Sequence, residues 1–221
     1  LSKSMVNRAL LLAAMYPEIT LSGMSTSSDS VYLQQVLDGY LGDSAMVGAG
    51  GTTLRFATAY WACQEGAQME LYGTERLNKR PIAPLVDALN ALGASVSYMA
   101  AEGEAPLRIQ GRNLKGGRLH LGHVSSSQFI TALMLISPKM EEGLHLTWDS
   151  APSQPYLVMT AALLRESGFE VLLTAEEFKI SAGQQPKKVE LFIERDWSAV
   201  AFWCEVVALS NEASIELLGF K

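Results

Sequence analysis

Serine, arginine and lysine side chains are concentrated where apolar helices are predicted to begin. Ser4 opens one such helix, with Lys3 directly before it and Arg8 one turn further along. A serine-rich run at residues 125–127, followed by Gln128, opens another. The first turn of a helix has unpaired N–H groups and a partial positive charge, which favour bound phosphate or carboxylate. These spacings therefore predict recognition of a small anion.

Three further segments fit the same chemistry. Residues 48–55 form a glycine-rich turn before a helix, where backbone can approach a ligand closely. Residues 76–82 contain three cations, and Ser153 precedes a helix that begins near Pro155. Each segment also has an ordinary structural interpretation: a helix cap, a tight turn or an exposed charge run. A binding site follows only if these segments meet.

The composition narrows the classes of protein. The chain has 221 residues, of which 48% are hydrophobic and 18% charged, which excludes a disordered tail, a fibre or a coiled-coil rod. A net charge of −6 argues against nucleic-acid or membrane-surface partners. Cys63 and Cys204 lie in apolar helical runs and are predicted to be buried thiols, so we expect a cytoplasmic protein.

Metal and cofactor chemistry find no support in the motifs. The three histidines lack cysteine partners at zinc-binding spacing, and residues 48–53 lack the lysine of a P-loop. We therefore expect neither a metal nor a cofactor.

Two kinds of helix must position these side chains. The first kind is apolar on nearly every face and is therefore predicted to be buried: residues 4–16, 52–63, 126–136 and 198–209. The second kind is amphipathic and is followed by a glycine: residues 29–40, 84–92 and 155–167.

Short strands are predicted between the helices. They cover residues 18–22, 69–72, 94–99, 107–110, 118–121, 144–148, 169–173 and 178–180, with one more after residue 188 and an apolar strand-like run at 213–218. Strand, buried helix, strand, amphipathic helix and strand recur about three times. This predicts an α/β (α+β) fold with buried helices at the centre and sheets outside, in which the buried helices could begin on a common face. Residues 183–188 are the predicted linker.

The order of the motifs resembles the N-terminal half of the 5-enolpyruvylshikimate-3-phosphate synthases, the 3-phosphoshikimate 1-carboxyvinyltransferases. The matching motifs are Ser-Lys-Ser at residues 2–4 with Asn-Arg at 7–8, Gly-Thr-Thr-Leu-Arg at 51–55, Arg-Pro-Ile at 80–82, Ser-Ser-Gln-Phe at 126–129, and Ser-x-Pro-Tyr at 153–156. The resemblance implies a domain of three βαβαββ units around central helices, one of two in the family. It further implies that residues 1–188 form the shikimate-phosphate-binding domain and that 189–221 form the crossover and the start of the second domain.

The resemblance also implies roles in moving the carboxyvinyl group of phosphoenolpyruvate to the 5-hydroxyl of shikimate 3-phosphate. Lys3 corresponds to a catalytic lysine shared by both substrates, and Gln128 to an amide that touches both. The shikimate 3-phosphate residues would be Lys3, Ser4, Arg8, Ser126, Ser127, Gln128, Ser153 and Tyr156. The phosphoenolpyruvate residues would be Lys3, Gly51, Arg80 and Gln128. The missing second domain would be the partner, and the chain alone is expected to be inactive.

Two residues depart from the family pattern, and two other functions stay open. Ala49 stands where many relatives have asparagine, and Phe56 follows Arg55 where proline is common. We expect both changes to lie beside the phosphoenolpyruvate subsite. The alternatives are a domain like that of UDP-N-acetylglucosamine enolpyruvyl transferase, which shares the fold, and a non-catalytic phosphate-binding module.

Overall fold

The computed structural model describes residues 1–39, 42–218 and 220. The helices are α1 (Lys3–Met15), α2 (Ser28–Leu37), α3 (Gly51–Ala62), α4 (Glu75–Asn78), α5 (Ala83–Ala91), α6 (Ser127–Ile136), α7 (Gln154–Glu166) and α8 (Trp197–Ala208), with a short 3₁₀ turn at Ser137–Lys139. Within these ranges, no helix combines the length and apolar character needed to cross a membrane.

The strands form two four-stranded sheets and one two-stranded pair. They are β1 (Ile19–Leu21), β2 (Ser44–Met46), β3 (Gln68–Tyr72), β4 (Ser95–Tyr98), β5 (Leu107–Gln110), β6 (Gly117–His120), β7 (Leu144–Thr147), β8 (Val171–Leu173), β9 (Glu177–Ile180) and β10 (Val189–Leu191). The sheet orders are β2-β3-β5-β4 and β6-β7-β9-β8, and β1 pairs with β10.

The two large sheets are copies of one βαβαββ unit. In each, the first two strands run parallel and the remaining pairings are antiparallel. The third unit is assembled from distant parts of the chain: β1 and α2 follow α1 near the start, whereas β10 comes from beyond residue 188 and pairs parallel with β1. The predicted fold class and the threefold repeat are thus confirmed, and the third repeat closes between early and late segments.

Helices α1, α3 and α6 form the centre of the core. They contact one another and are surrounded by α2, α5 and α7. Nine residues of α6 are buried, from Ser127 and Phe129 through Ile136, and α3 buries ten. A helix that is apolar on all sides can hide its surface only when neighbours cover every face, which explains why these sequences occupy the middle.

Element boundaries differ from the predictions in a few places. Helix α2 begins one residue earlier than predicted and ends at Leu37; the predicted end at Tyr40, and Leu41 after it, lie outside the described residues. The short elements β2 and α4 were not predicted, because three or four residues are too few to show a period.

The prediction that residues 198–209 form a buried helix is wrong. Helix α8 is present there, but Val200 is its only buried residue, and Phe202 and Trp203 are 71% and 59% exposed. Cys204 is exposed, so its predicted burial is wrong as well, while Cys63 is buried. Residues 213–218 form no strand. The apolar composition of α8 indicates that the helix favours a covering partner. It does not show that the described residues include that partner.

The two thiols should therefore react differently. Burial raises the pKa of Cys63 to about 12, which leaves almost no thiolate at pH 8, whereas Cys204 is open to reagent. We expect iodoacetamide at pH 8 to alkylate Cys204 alone in the native protein and Cys63 only after unfolding in urea, as read by mass spectrometry. Native Cys204→Ser should stay unlabelled; rapid labelling of that variant would contradict the burial of Cys63.

Candidate functional site

A cavity of about 590 Å³ lies where α1, α3, α6 and α7 begin. All eight residues that the resemblance assigned to shikimate 3-phosphate line it: Lys3, Ser4, Arg8, Ser126, Ser127, Gln128, Ser153 and Tyr156. The cavity is also lined by residues to which the resemblance assigned no role: Asn7, Thr52, Ser125, Pro152, Asp196 and Ser198. The separate polar helix starts therefore meet at one place.

The serine loops meet because two parallel strands continue past their ends. Beyond β6 and β7, the Asp149 N–H donates to the Gly122 carbonyl at 2.9 Å, and the Val124 N–H donates to the Ser150 carbonyl at 2.9 Å. The chain enters α6 directly after the first of these segments and α7 after the second. This pairing brings residues 125–127 and Ser153 into the lining of one cavity.

Capping leaves most of these hydroxyls available to a ligand. Ser2, and not Ser4, caps α1 by accepting from the Met5 N–H at 3.4 Å, so the Ser4 hydroxyl is not used as the cap. Ser126 caps α6 by accepting from the Gln128 N–H at 3.3 Å. A hydroxyl that accepts a bond can still donate its own proton, so Ser126 can also donate to an anion.

Ser153 has a strained backbone. With φ 59° and ψ 45°, it is the non-glycine residue with positive φ in the described chain, and its side chain makes no capping bond to α7. This conformation costs a residue with a Cβ about 1–2 kcal/mol. Strain of this kind persists where a side chain is needed at a fixed position, and here the side chain lines the cavity.

Arg8 is a buried cation whose hydrogen bonds go to neutral groups. It is 3% exposed; its Nε donates to Thr160 Oγ1 at 2.8 Å and its Nη1 to the Ser4 carbonyl at 2.7 Å. Within the described chain, no carboxylate lies at ion-pair distance from it. Burial lowers the pKa of Arg8 to about 10, so it stays charged at neutral pH. The cavity therefore presents a cation without a counter-anion.

Lys3 differs from Arg8 because it already has an anionic partner. Its Nζ lies 3.0 Å from Asp29 Oδ2 in a partly exposed ion pair. Such a pair is worth at most about 1 kcal/mol, so a dianionic ligand can compete for the lysine. Asp29 was not predicted as part of the site, because it stands 26 residues away and serves in the first turn of α2.

Of the residues predicted for phosphoenolpyruvate, Lys3 and Gln128 line the cavity, whereas Gly51 and Arg80 lie beside Thr52 of its lining. A Cβ added to Gly51 would stand 2.8 Å from Nη1 of Arg80 and 3.3 Å from Nη1 of Arg55, so both guanidinium groups lie against this glycine. Arg55 joins this group: it donates to Gln128 Oε1, donates to the Pro81 carbonyl at 3.3 Å, and lies 4.6 Å from the Phe129 ring centre. Burial, and then the nearby charge of Arg80, lower the pKa of Arg55 to about 10.

Arg55 was visible in the sequence as part of a motif, but its contacts were not. It is 6% exposed and connects the Gln128 side chain to the Gly51–Arg80 group. Phe56, which follows Arg55, has its ring centre 5.7 Å from Cζ of Arg8. Among the described residues, no three His, Cys, Asp or Glu side chains are arranged to hold a metal ion.

The chain has the enolpyruvyl transferase fold. Comparison with a solved EPSP synthase from Acinetobacter baumannii gives a TM-score of 0.76 at 19% identity, covering 91% of this chain and 50% of that one. This likeness shows the shared fold.

Sequence comparison shows the family. The model for EPSP synthase (3-phosphoshikimate 1-carboxyvinyltransferase) matches residues 29–221, and the chain belongs to this family. It is 37% identical to a 3-phosphoshikimate 1-carboxyvinyltransferase of Bacteroides fragilis (strain YCH46) over 99% of this chain, and 38% identical to one of Korarchaeum cryptofilum over 70%. The alignments cover 53% and 36% of those relatives, so the chain spans about half their length or less.

The strain at Ser153 can be measured directly. Glycine removes the Cβ penalty at positive φ but loses more entropy on folding, so Ser153→Gly should raise the free energy of unfolding by up to about 1 kcal/mol. Ser153→Ala keeps the strain and should give no gain. Urea unfolding of both variants checks this; an alanine variant as stable as the glycine variant would contradict strain at this position.

Proposed function

We propose that this chain is the shikimate-phosphate-binding half of an EPSP synthase. Together with a second half, it would transfer the carboxyvinyl group of phosphoenolpyruvate to the 5-hydroxyl of shikimate 3-phosphate. The observation that carries the proposal is a single cavity with two kinds of anion donor: a cluster of serine hydroxyls at the starts of α6 and α7, and the buried, uncompensated Arg8.

The hydrogen-bond donors of the cavity fall into two groups, each suited to a different anion. Ser126, Ser127 and Ser153 offer neutral hydroxyls near a helix start, which suit the phosphate group. Arg8 offers a planar guanidinium that can bind a carboxylate, and Ser4 adds a hydroxyl beside it. Tyr156 covers the ring of the substrate between these two ends. The cavity thus fits a ring acid that carries a phosphate.

The second substrate would lie toward Arg80. Arg80, which lies against Gly51, would provide a cation for the phosphate of phosphoenolpyruvate, and Gln128, which accepts a hydrogen bond from Arg55, would contact both substrates. In the proposed reaction the 5-hydroxyl adds to C2 of protonated phosphoenolpyruvate, and phosphate leaves from the tetrahedral intermediate. Lys3 and the arginines would stabilise developing negative charge, while the second half would supply further groups.

The domain division is part of the same proposal. Residues 1–188 would form the binding domain, and residues 189–221 the crossover and the start of the second domain, which would cover the exposed apolar face of α8. We also propose a cytoplasmic location. The partners would be the two small substrates and the second half of the enzyme, with no cofactor.

Binding by the 221-residue chain tests the proposal. Calorimetry should show shikimate 3-phosphate binding more tightly than inorganic phosphate or UDP-N-acetylglucosamine. Arg8→Gln removes a charged donor and should weaken binding about 10- to 100-fold, and Ser127→Ala removes a neutral one and should weaken it about 2- to 10-fold.

The control for charge is Lys179→Gln, an exposed change on β9, which should leave the affinity unchanged. Equal affinity for inorganic phosphate and shikimate 3-phosphate would instead support a general phosphate-binding module. Tighter binding of UDP-N-acetylglucosamine would support the sister enzyme class.

Turnover tests the need for the second half. We expect the 221-residue chain to release no measurable phosphate from phosphoenolpyruvate with shikimate 3-phosphate, because the groups for proton transfer would come from that half. A coupled phosphate assay, with a two-domain relative as positive control, measures this. Phosphate release at a rate near that of the control would refute the division of labour.

A further inference from the structure

The buried Arg8 guanidinium lies against two aromatic rings on different helices. Its Cζ is 5.7 Å from the ring centre of Phe56 on α3 and 5.4 Å from that of Tyr156 on α7. Both distances are within the range in which a ring quadrupole attracts a cation. Tyr156 is 39% exposed, whereas Phe56 is fully buried. Phe56 therefore acts on Arg8 from inside the core, where water does not weaken the attraction.

Arg8 depends on this environment because its other contacts are neutral. Thr160 and the Ser4 carbonyl fix its Nε and Nη1, and neither group carries a charge. Burial of a cation without a paired anion is unfavourable, as the lowered pKa of Arg8 shows. The Phe56 ring offsets part of that cost without occupying a hydrogen-bonding position, which leaves the guanidinium free to receive an anion from the cavity.

Neighbouring residues of α3 serve different parts of the site. Arg55 reaches Gln128 and Pro81, whereas Phe56 contacts Arg8. Successive side chains on a helix point about 100° apart, so the two residues face different neighbours. Phe56 thus contacts Arg8, whereas its sequence neighbour Arg55 lies against Gly51.

We propose that Phe56 is a positioning residue that holds Arg8 toward a carboxylate bound in the cavity. The ring holds the guanidinium in place and excludes water behind it, so the charge is directed to the cavity side. This inference rests on the proposed function in one respect: the carboxylate belongs to shikimate 3-phosphate. The role of the ring itself concerns only Arg8 and any carboxylate that reaches it.

The test compares two ligands on the 221-residue chain. One is shikimate 3-phosphate, and the other is its analogue with a primary alcohol in place of the carboxylate. Phe56→Leu keeps an apolar side chain but removes the ring. We expect it to weaken binding of the acid about 2- to 30-fold and to leave binding of the alcohol unchanged, measured by calorimetry.

Two further variants guard against a general packing effect. Phe56→Met offers a flexible filler of similar volume and should give the same pattern if Phe56→Leu folds poorly. Phe178→Leu removes an equally buried ring from β9 and should change neither affinity. The urea midpoint of each variant shows whether it remains folded.

The outcomes separate the inference from the proposed function. If wild type binds neither ligand, the proposed function fails. If wild type binds the acid and Phe56→Leu weakens both ligands equally, or weakens neither, the ring does not act through Arg8 and the inference is overturned. Loss confined to the acid supports it.

Discussion

The site depends on one constraint, which is that a helix buried on every side can meet polar ligands only at its ends. Helices α1, α3 and α6 are covered along their lengths by one another and by the outer helices, so their unpaired N–H groups are the polar surface that they offer. Because their first turns lie around one cavity, the partial positive charges and the flanking hydroxyls act together. The packing that forms the core therefore also brings these first turns together at the site.

The same packing creates a charge imbalance that the protein tolerates. Arg8 and Arg55 are both nearly buried, and burial lowers the pKa of each to about 10 without discharging it at neutral pH. Their stabilisation comes from carbonyls, hydroxyls, an amide and aromatic rings. A carboxylate of the protein would offset the burial of these charges more fully, but it would also compete with a bound anion. Neutral partners keep the cations in position and available, as electrostatic preorganisation requires.

Much of the fold could be predicted from sequence because its signals are local. All-round apolar helices, glycines after the amphipathic helices and short alternating runs gave the repeated unit, and the motif order pointed to eight residues that do line the cavity. The features that the sequence did not predict depend on contacts between residues far apart in the chain. The pairing of Asp29 with Lys3 and the contact of Phe56 with Arg8 join separate helices, which no spacing rule foresees. The predicted burial of α8 was wrong for a related reason: the composition of this helix resembles that of the core helices, and only its surroundings differ.

The segment that follows β10 links the fold to the site in a way that the repeat alone does not require. Strand β10 forms the two-stranded sheet by pairing with β1. The chain then continues to Asp196, which caps α8 and lines the cavity with Ser198. The Ser2 N–H donates to the Glu194 carbonyl at 2.8 Å, so this segment is tied to the residue that caps α1. A displacement of the segment after β10 would therefore be transmitted to Lys3 and Ser4 through the hydrogen bond between Ser2 and Glu194.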